Sequence, residues 1–369
     1  MIKGLKCLLI ILLLTSCVEP YEFLIRDDSY ALVVEGYISN VSAADYLTQT
    51  GERRYFTIKL HYTSDVSNIA DEPINDANVE LQSSDGSVLH YEKTMTEGEY
   101  SLMDTNFNVE ESLKYKLKIT LRNDDSYESD WITYKCNELG DFENIAFEET
   151  EIDQSEVVAG SEELVKVKGV NVMTDLHVNP NAKPVYYLWK FDATWIYKAP
   201  LVGLSNPYKT CWAKNSNFLN KYVIAADNDG GYSQKLFFLP TIGNEKVYED
   251  FSVLITQQVL SEESYFYIKE IQEQTSGGAV SDKPPYNVIS NLTSNDGKLV
   301  LGHFDVVSEQ FKRWYFNGND VSYGVYNDLA DNCYKYAGRD GPALECFSCL
   351  EYSNGEAALE EPSWWDPVH

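Results

Sequence analysis

Lys114-Tyr115-Lys116-Leu117-Lys118-Ile119-Thr120-Leu121 alternates apolar residues with lysine or threonine at every second position. That period places Tyr115, Leu117, Ile119 and Leu121 on one face and the cations on the other, the signature of a half-buried strand. Asn123-Asp124-Asp125 closes it with turn residues. Upstream, Tyr55 to Tyr62 sets Phe56, Ile58, Leu60 and Tyr62 against Thr57, Lys59 and His61. Asn75 to Gln82 alternates likewise, and the pair Asp85-Gly86 leads into Val88 to Tyr91, a hairpin pattern. With the β-branched run Ala31 to Ser39 and the start at Gly98 to Leu102, these short strands predict a β-sandwich over 29–140, of the immunoglobulin-like or carboxypeptidase-regulatory-like kind.

The chain has 369 residues, which suggests two domains at roughly 150 residues each. Glu138 to Glu163 is crowded with acids and weakly periodic, so the junction is placed there, near Leu139 to Asp153. Strand patterns resume at Val165–Val172, Val185–Tyr197, Lys221–Ala226, Leu236–Leu239, Phe251–Val259, Leu299–Val307 and Lys312–Phe316. Ser261 followed by Glu262 and Glu263, with Tyr265, Ile268 and Ile271 at helical spacing, predicts one helix over 261–275. The expectation is therefore a mainly β protein of two β-sandwich-like domains, the second over 141–350, followed by an acidic tail over 351–369.

At the amino terminus Lys3 and Lys6 precede an apolar run from Cys7 to Leu14, then Thr15, Ser16 and Cys17. This is the layout of a secretory signal over 1–16, and Leu14-Thr15-Ser16-Cys17 resembles a bacterial lipobox. Cleavage there leaves Cys17 as an acylated first residue, with 17–28 as a tether. Palmitate-type chains on Cys17 then hold the body to a membrane without a spanning helix. The apolar run falls short of the roughly 20 residues that a bilayer core requires. Asp and Glu number 58 against 29 Lys and Arg, a net charge of -29 that repels phosphate and excludes nucleic acid as a partner class.

No cofactor motif emerges. His61, His90, His177, His303 and His369 lack zinc-helix spacing, Ser205 lacks the second glycine of a nucleophile elbow, and no glycine-rich phosphate loop exists. Asp227-Asn228-Asp229-Gly230-Gly231 makes Asp227 and Asp229 candidate calcium ligands, although a plain turn explains the same residues. Cys136, Cys211, Cys333, Cys346 and Cys349 remain beyond the anchor, an odd set. Cys346-Phe347-Ser348-Cys349 suits zinc, thiol exchange or structural disulfides, and export favours the last. Cys333, nearest in sequence, is the expected partner of one of the pair. Trp364 and Trp365, adjacent in a polar tail, either plug the second sandwich or offer a partner an apolar patch.

The order of motifs resembles the outer-membrane lipoproteins of Bacteroidota that carry domain of unknown function 4249. The likeness rests on the lipobox before Val18-Glu19-Pro20, the strand Leu32 to Ile38, Asp76-Ala77-Asn78-Val79 and Glu97-Gly98-Glu99-Tyr100. It continues through Tyr186 to Trp189, Thr210-Cys211-Trp212, Val300 to Phe304, and the Cys346/Cys349 pair ahead of Pro362 to Trp365. The sequence departs from the family where Leu350 to Asn354 replaces a glycine-rich stretch. The resemblance implies an outer-membrane lipoprotein, often encoded beside TonB-dependent receptors, and no known reaction. The functional expectation is a non-enzymatic accessory protein that binds such a receptor or its ligand. The alternatives are a surface glycan hydrolase and an adhesin or structural surface protein.

Overall fold

The computed structural model describes residues 31–63, 72–134, 142, 144–158, 161–180, 183–219, 222–276, 290–337 and 341–366. Cys17, the leader, the tether and Cys136 lie outside the described residues.

In chain order the first strands are β1 (Leu32–Ser39), β2 (Phe56–Tyr62), β3 (Glu72–Pro73), β4 (Asn78–Ser83), β5 (Val88–Lys93), β6 (Glu99–Leu102), β7 (Lys114–Thr120), β8 (Ser126–Ser129) and β9 (Ile132–Thr133). Then come β10 (Ile145–Val158), β11 (Ser161–Asp175), β12 (Val185–Lys198), β13 (Thr210–Lys214), β14 (Tyr222–Asp227), β15 (Ser233–Pro240), β16 (Asp250–Leu260), β17 (Leu292–Ser294), β18 (Val300–Asn317) and β19 (Glu356–Ala358). Three α-helices occur among the described residues: α1 (Ala43–Thr50), α2 (Glu262–Ser276) and α3 (Asp328–Tyr336). The protein is mainly β, with open sheets in a sandwich-like arrangement.

The β4–β5 hairpin forms where the alternation predicts it. Val79 and Leu81 are fully buried, Ser87 donates its backbone N–H to Asp85 Oδ1, and Gly86 takes a left-handed φ of 92°. One core packs β1, β2 and β6 against β4, β7 and β8, with Val34, Ile58 and Leu60 facing Leu81, Leu117 and Ile119. A second core packs β12, β16 and the end of β18 against the three-stranded sheet of β10, β11 and β15. Trp189, Trp195, Phe251 and Phe316 meet Val170, Val172, Phe237 and Leu239 there.

The two cores share one strand. The first half of β18 runs parallel to β1, from Leu32 opposite Val300 to Ser39 opposite Val307, and its second half runs antiparallel to β16. Leu292, Val300, Phe304 and Val306 therefore belong to the first core, so a linear division at residue 140 does not separate the packing units. Two strands were expected at 299–307 and 312–316, and one continuous strand stands in their place. Ser308, Glu309 and Gln310 stay in it because each is paired or buried: Gln310 accepts from the Phe142 N–H, and Glu309 meets partners described below.

Three further departures have physical causes. The acid-rich stretch expected as a junction is β10, paired with β11 along its length; Ile145 and Phe147 pack on the second core, and only its outer half is exposed on both faces, where no alternation is needed. α1 and α3, not anticipated, are short helices fixed by their ends: Ser42 Oγ accepts from Asp45 N, and Asn327 Oδ1 from Ala330 N. The expected acidic tail is built into the body, since β19 pairs with β13 and Tyr352 is buried in the second core.

Gly302 sits where β1 and β18 meet, with φ of 92°, and an added Cβ would lie 1.9 Å from the Val34 carbonyl oxygen. Gly302→Ala is expected to cost about 1–3 kcal/mol from backbone strain. Urea denaturation followed by circular dichroism measures it; an unchanged midpoint would mean that the two backbones separate freely.

Candidate functional site

The cysteines near the carboxyl end form two disulfides, Cys333–Cys346 and Cys211–Cys349. The first joins the residues nearest in sequence, as expected. The second ties β13 to the 3-10 turn at Cys349–Glu351, 138 residues away. Asp227 and Asp229 do not converge as ligands: Asp227 Oδ1 accepts from the Gly230 N–H, and the Asp229 carbonyl accepts from Asn179 N, a capped turn. Among the described residues no group of three or more His, Cys, Asp or Glu is placed to hold a metal ion, and no helix is long and apolar enough to cross a membrane.

Register places a row of charged side chains on the outer face of the central sheet. On β18 Glu309, Phe311 and Arg313 share that face; across β16 they meet Lys190 and Asp192 of β12, and beyond them Lys214 of β13 and Glu356 of β19. α1 and the segment after it cover this face, with Tyr46 packed edge-on to Phe311 at 5.0 Å.

Arg54 enters from above. Its guanidinium lies 4.3 Å from the Tyr46 ring centroid and 2.8 Å from Glu309 Oε2, close contact without an aligned hydrogen bond. Glu309 is fully buried, and its other oxygen accepts from Gln258 Nε2 at 2.7 Å. Burial alone would raise its carboxyl, but Arg54, hydrogen bonds and Lys190 hold it below the usual range. Burial pushes the Tyr37 hydroxyl up, reinforced by Glu309, and pulls the Lys190 ammonium down.

Next to this pair, Glu52 binds two cations, Arg313 Nη2 at 3.1 Å and Lys214 Nζ at 3.1 Å. Lys214 also meets Asp192 Oδ2 at 2.7 Å; burial disfavours its charge, yet Asp192 and Glu52 keep it above the ordinary lysine range. Arg313 stacks on Trp364, 3.2 Å from the ring centroid. Gly51, in the left-handed C-cap of α1, touches the same indole, and an added Cβ would lie 2.7 Å from Trp364 Cβ.

These contacts wall a cleft of about 550 Å³, lined by Glu52, Arg53, Trp212, Glu356, Glu360 and Trp364 among others. Ala358 stands opposite Trp212 and Ala357 opposite Ala213, and their small side chains leave the space open. Of the two tail tryptophans, Trp365 is buried against Tyr315 and Trp364 borders the cleft, so the pair caps the sheet's outer face and not the inside of the sandwich. Sequence patterning marked Trp364, and Trp212 as a strand tryptophan expected in the core, but not Arg54, Glu309 or Glu52.

Residues 18–313 match the family described as a domain of unknown function, DUF4249. The chain belongs to the DUF4249 family. No curated protein matches it. Among solved structures, a biofilm associated protein, BSP domain, is similar at 8% identity and a TM-score of 0.15. That match covers 76% of this chain and 58% of the other, and at that score it carries no argument.

In this DUF4249 chain the charged layer from Arg54 to Arg313 falls inside the matched segment, whereas Trp364, Glu360 and Glu356 of β19 lie after it. The Cys211–Cys349 bridge ties the strand bearing Trp212 to the segment that leads into β19. The cleft's volume lies within the roughly 300–1,000 Å³ of small-ligand sites. Indole surface beside carboxylates and an arginine suits a ligand with one apolar face and several hydroxyl or amino groups.

Proposed function

We propose that this chain is a non-catalytic accessory lipoprotein of a bacterial outer membrane, anchored through acyl chains on Cys17, which binds a TonB-dependent receptor or the ligand that receptor takes up. The observation that carries the reading is the Trp212–Trp364 cleft, whose walls are fixed by ion pairs and a disulfide. Of the charges lining it, Glu52 and Lys214 are engaged in ion pairs that hold structure. Glu309, in the same charged layer, is held below the usual carboxylate range against the pull of burial, the opposite of the shift that a general acid at neutral pH needs.

Affinity purification of the tagged chain from its native membranes tests the role. A receptor barrel retained after detergent washing is the expected result, and its absence would overturn the accessory reading. Trp364→Ala is expected to weaken retention of the cleft's ligand at least tenfold, scored by the small molecules that native mass spectrometry finds on each protein. Equal retention would remove the cleft from the account.

A glycan-acting hydrolase is the second reading, favoured by Glu356 and Glu360 beside two tryptophans. Sugar release abolished by Glu356→Gln or Glu360→Gln would establish it over the first.

A further inference from the structure

β10 and β11 pair from Ile145 opposite Thr174 to Val158 opposite Ser161, but β15 joins β11 only from Gly169 to Asp175. The Lys168 carbonyl still accepts the Thr241 N–H, and beyond it residues 161–167 have no strand partner but β10 among the described residues. The ribbon so left extends roughly 24 Å at about 3.4 Å per residue. Val157 is 78% exposed and Leu164 76%, so no core supports its outer half. A lone two-stranded ribbon is marginal in water, and an open edge is a template for another strand.

The ribbon is also strongly acidic. Glu148, Glu149, Glu151, Asp153, Glu162 and Glu163 lie along it, with no basic residue between Ile145 and Leu164. Glu151 is neutralised in part by Lys168 at 3.6 Å and Lys166 at 4.0 Å. Toward the tip no cation pairs with Glu162 or Glu163 among the described residues.

We propose that this arm is a docking element for a basic, extended segment of a partner protein, which adds a strand along the free edge of residues 161–167 and continues the line of β15. Main-chain bonds would supply affinity and the carboxylates would select the partner's charge. A second copy of this chain is disfavoured, since each copy carries a net charge of -29 and the two arms would repel. The inference rests on the accessory reading and adds to it the place and charge of the contact.

The test measures fluorescence anisotropy of a labelled peptide alternating lysine and valine with the full chain. Its comparators are the same peptide carrying two central prolines, a chain with residues 151–168 replaced by Asn-Gly, and the double variant Glu162→Lys, Glu163→Lys. Binding that falls at least tenfold with the prolines, with the excision and with the double variant supports the arm. Equal binding by the proline peptide or by the double variant would overturn it, the first by showing charge attraction alone. Should the excised chain lose its cooperative thermal transition, the double variant decides. Receptor co-purification that survives the double variant unchanged also defeats the arm while leaving the accessory role intact. Peptide capture without any receptor defeats that role alone.

Discussion

Arg54→Met lowers the stability of the fold by about 3–5 kcal/mol at neutral pH, because it strands a fully buried carboxylate. Glu309 has no exposed surface, and Gln258 satisfies only one of its oxygens. Methionine keeps much of the apolar contact with Tyr46, so the loss reports the missing charge. Its pH dependence follows from the sign of the shift. In the native chain Glu309 lies below its ordinary value of 4.5, so its stabilising contribution is complete above that pH and fades as pH falls through the depressed folded value. In the variant burial dominates and the folded carboxyl rises, so stability is lost as pH increases through it. The gap between the proteins is therefore widest near neutrality and narrows as pH approaches about 4. Urea titrations at several pH values measure it. A gap below about 1 kcal/mol at neutral pH would show that the pair contributes no more than a surface contact.

Replacing Cys211 and Cys349 together by alanine is expected to cost roughly 5 kcal/mol, since the bridge closes a loop of 138 residues in the unfolded chain. The pair Cys333 and Cys346, 13 residues apart, should cost closer to 3 kcal/mol. Thermal unfolding of the two double variants gives the order directly. The larger effect should also reach the cleft, because Trp212 follows Cys211 in β13 and β19 pairs with that strand. If both double variants melt together, loop closure is not what the longer bridge provides.

Features set by neighbours in sequence were the legible ones. The alternation of Val79 and Leu81, the turn at Asp85-Gly86 and the start of α2, capped by Ser261 with acids in its first turn, each carry their cause within a few residues. The outer face of the central sheet was hidden because its partners lie far apart: Glu309 is satisfied by Arg54 and Gln258, and a polar triplet at 308–310 by itself suggests a break. A signal for one strand was present. Val300, Gly302, Phe304 and Val306 stay in phase with Trp314 and Phe316 across that triplet. β11 was legible at Val165 to Val172, whereas β10 was obscure for a different reason, since exposure of its outer half on both faces erases the alternation by which strands are recognised. Cys211 gave no sign of its partner, because a bridge over so long a loop depends on topology and not on spacing.

Intact-mass and amino-terminal peptide analysis of the protein taken from its own cell envelope tests the anchored accessory role most directly. The account predicts a mature chain that begins at Cys17, with a diacylglycerol on its sulfur and mass to match. A chain still carrying Met1 to Ser16, or one beginning at an unmodified Cys17, would contradict it.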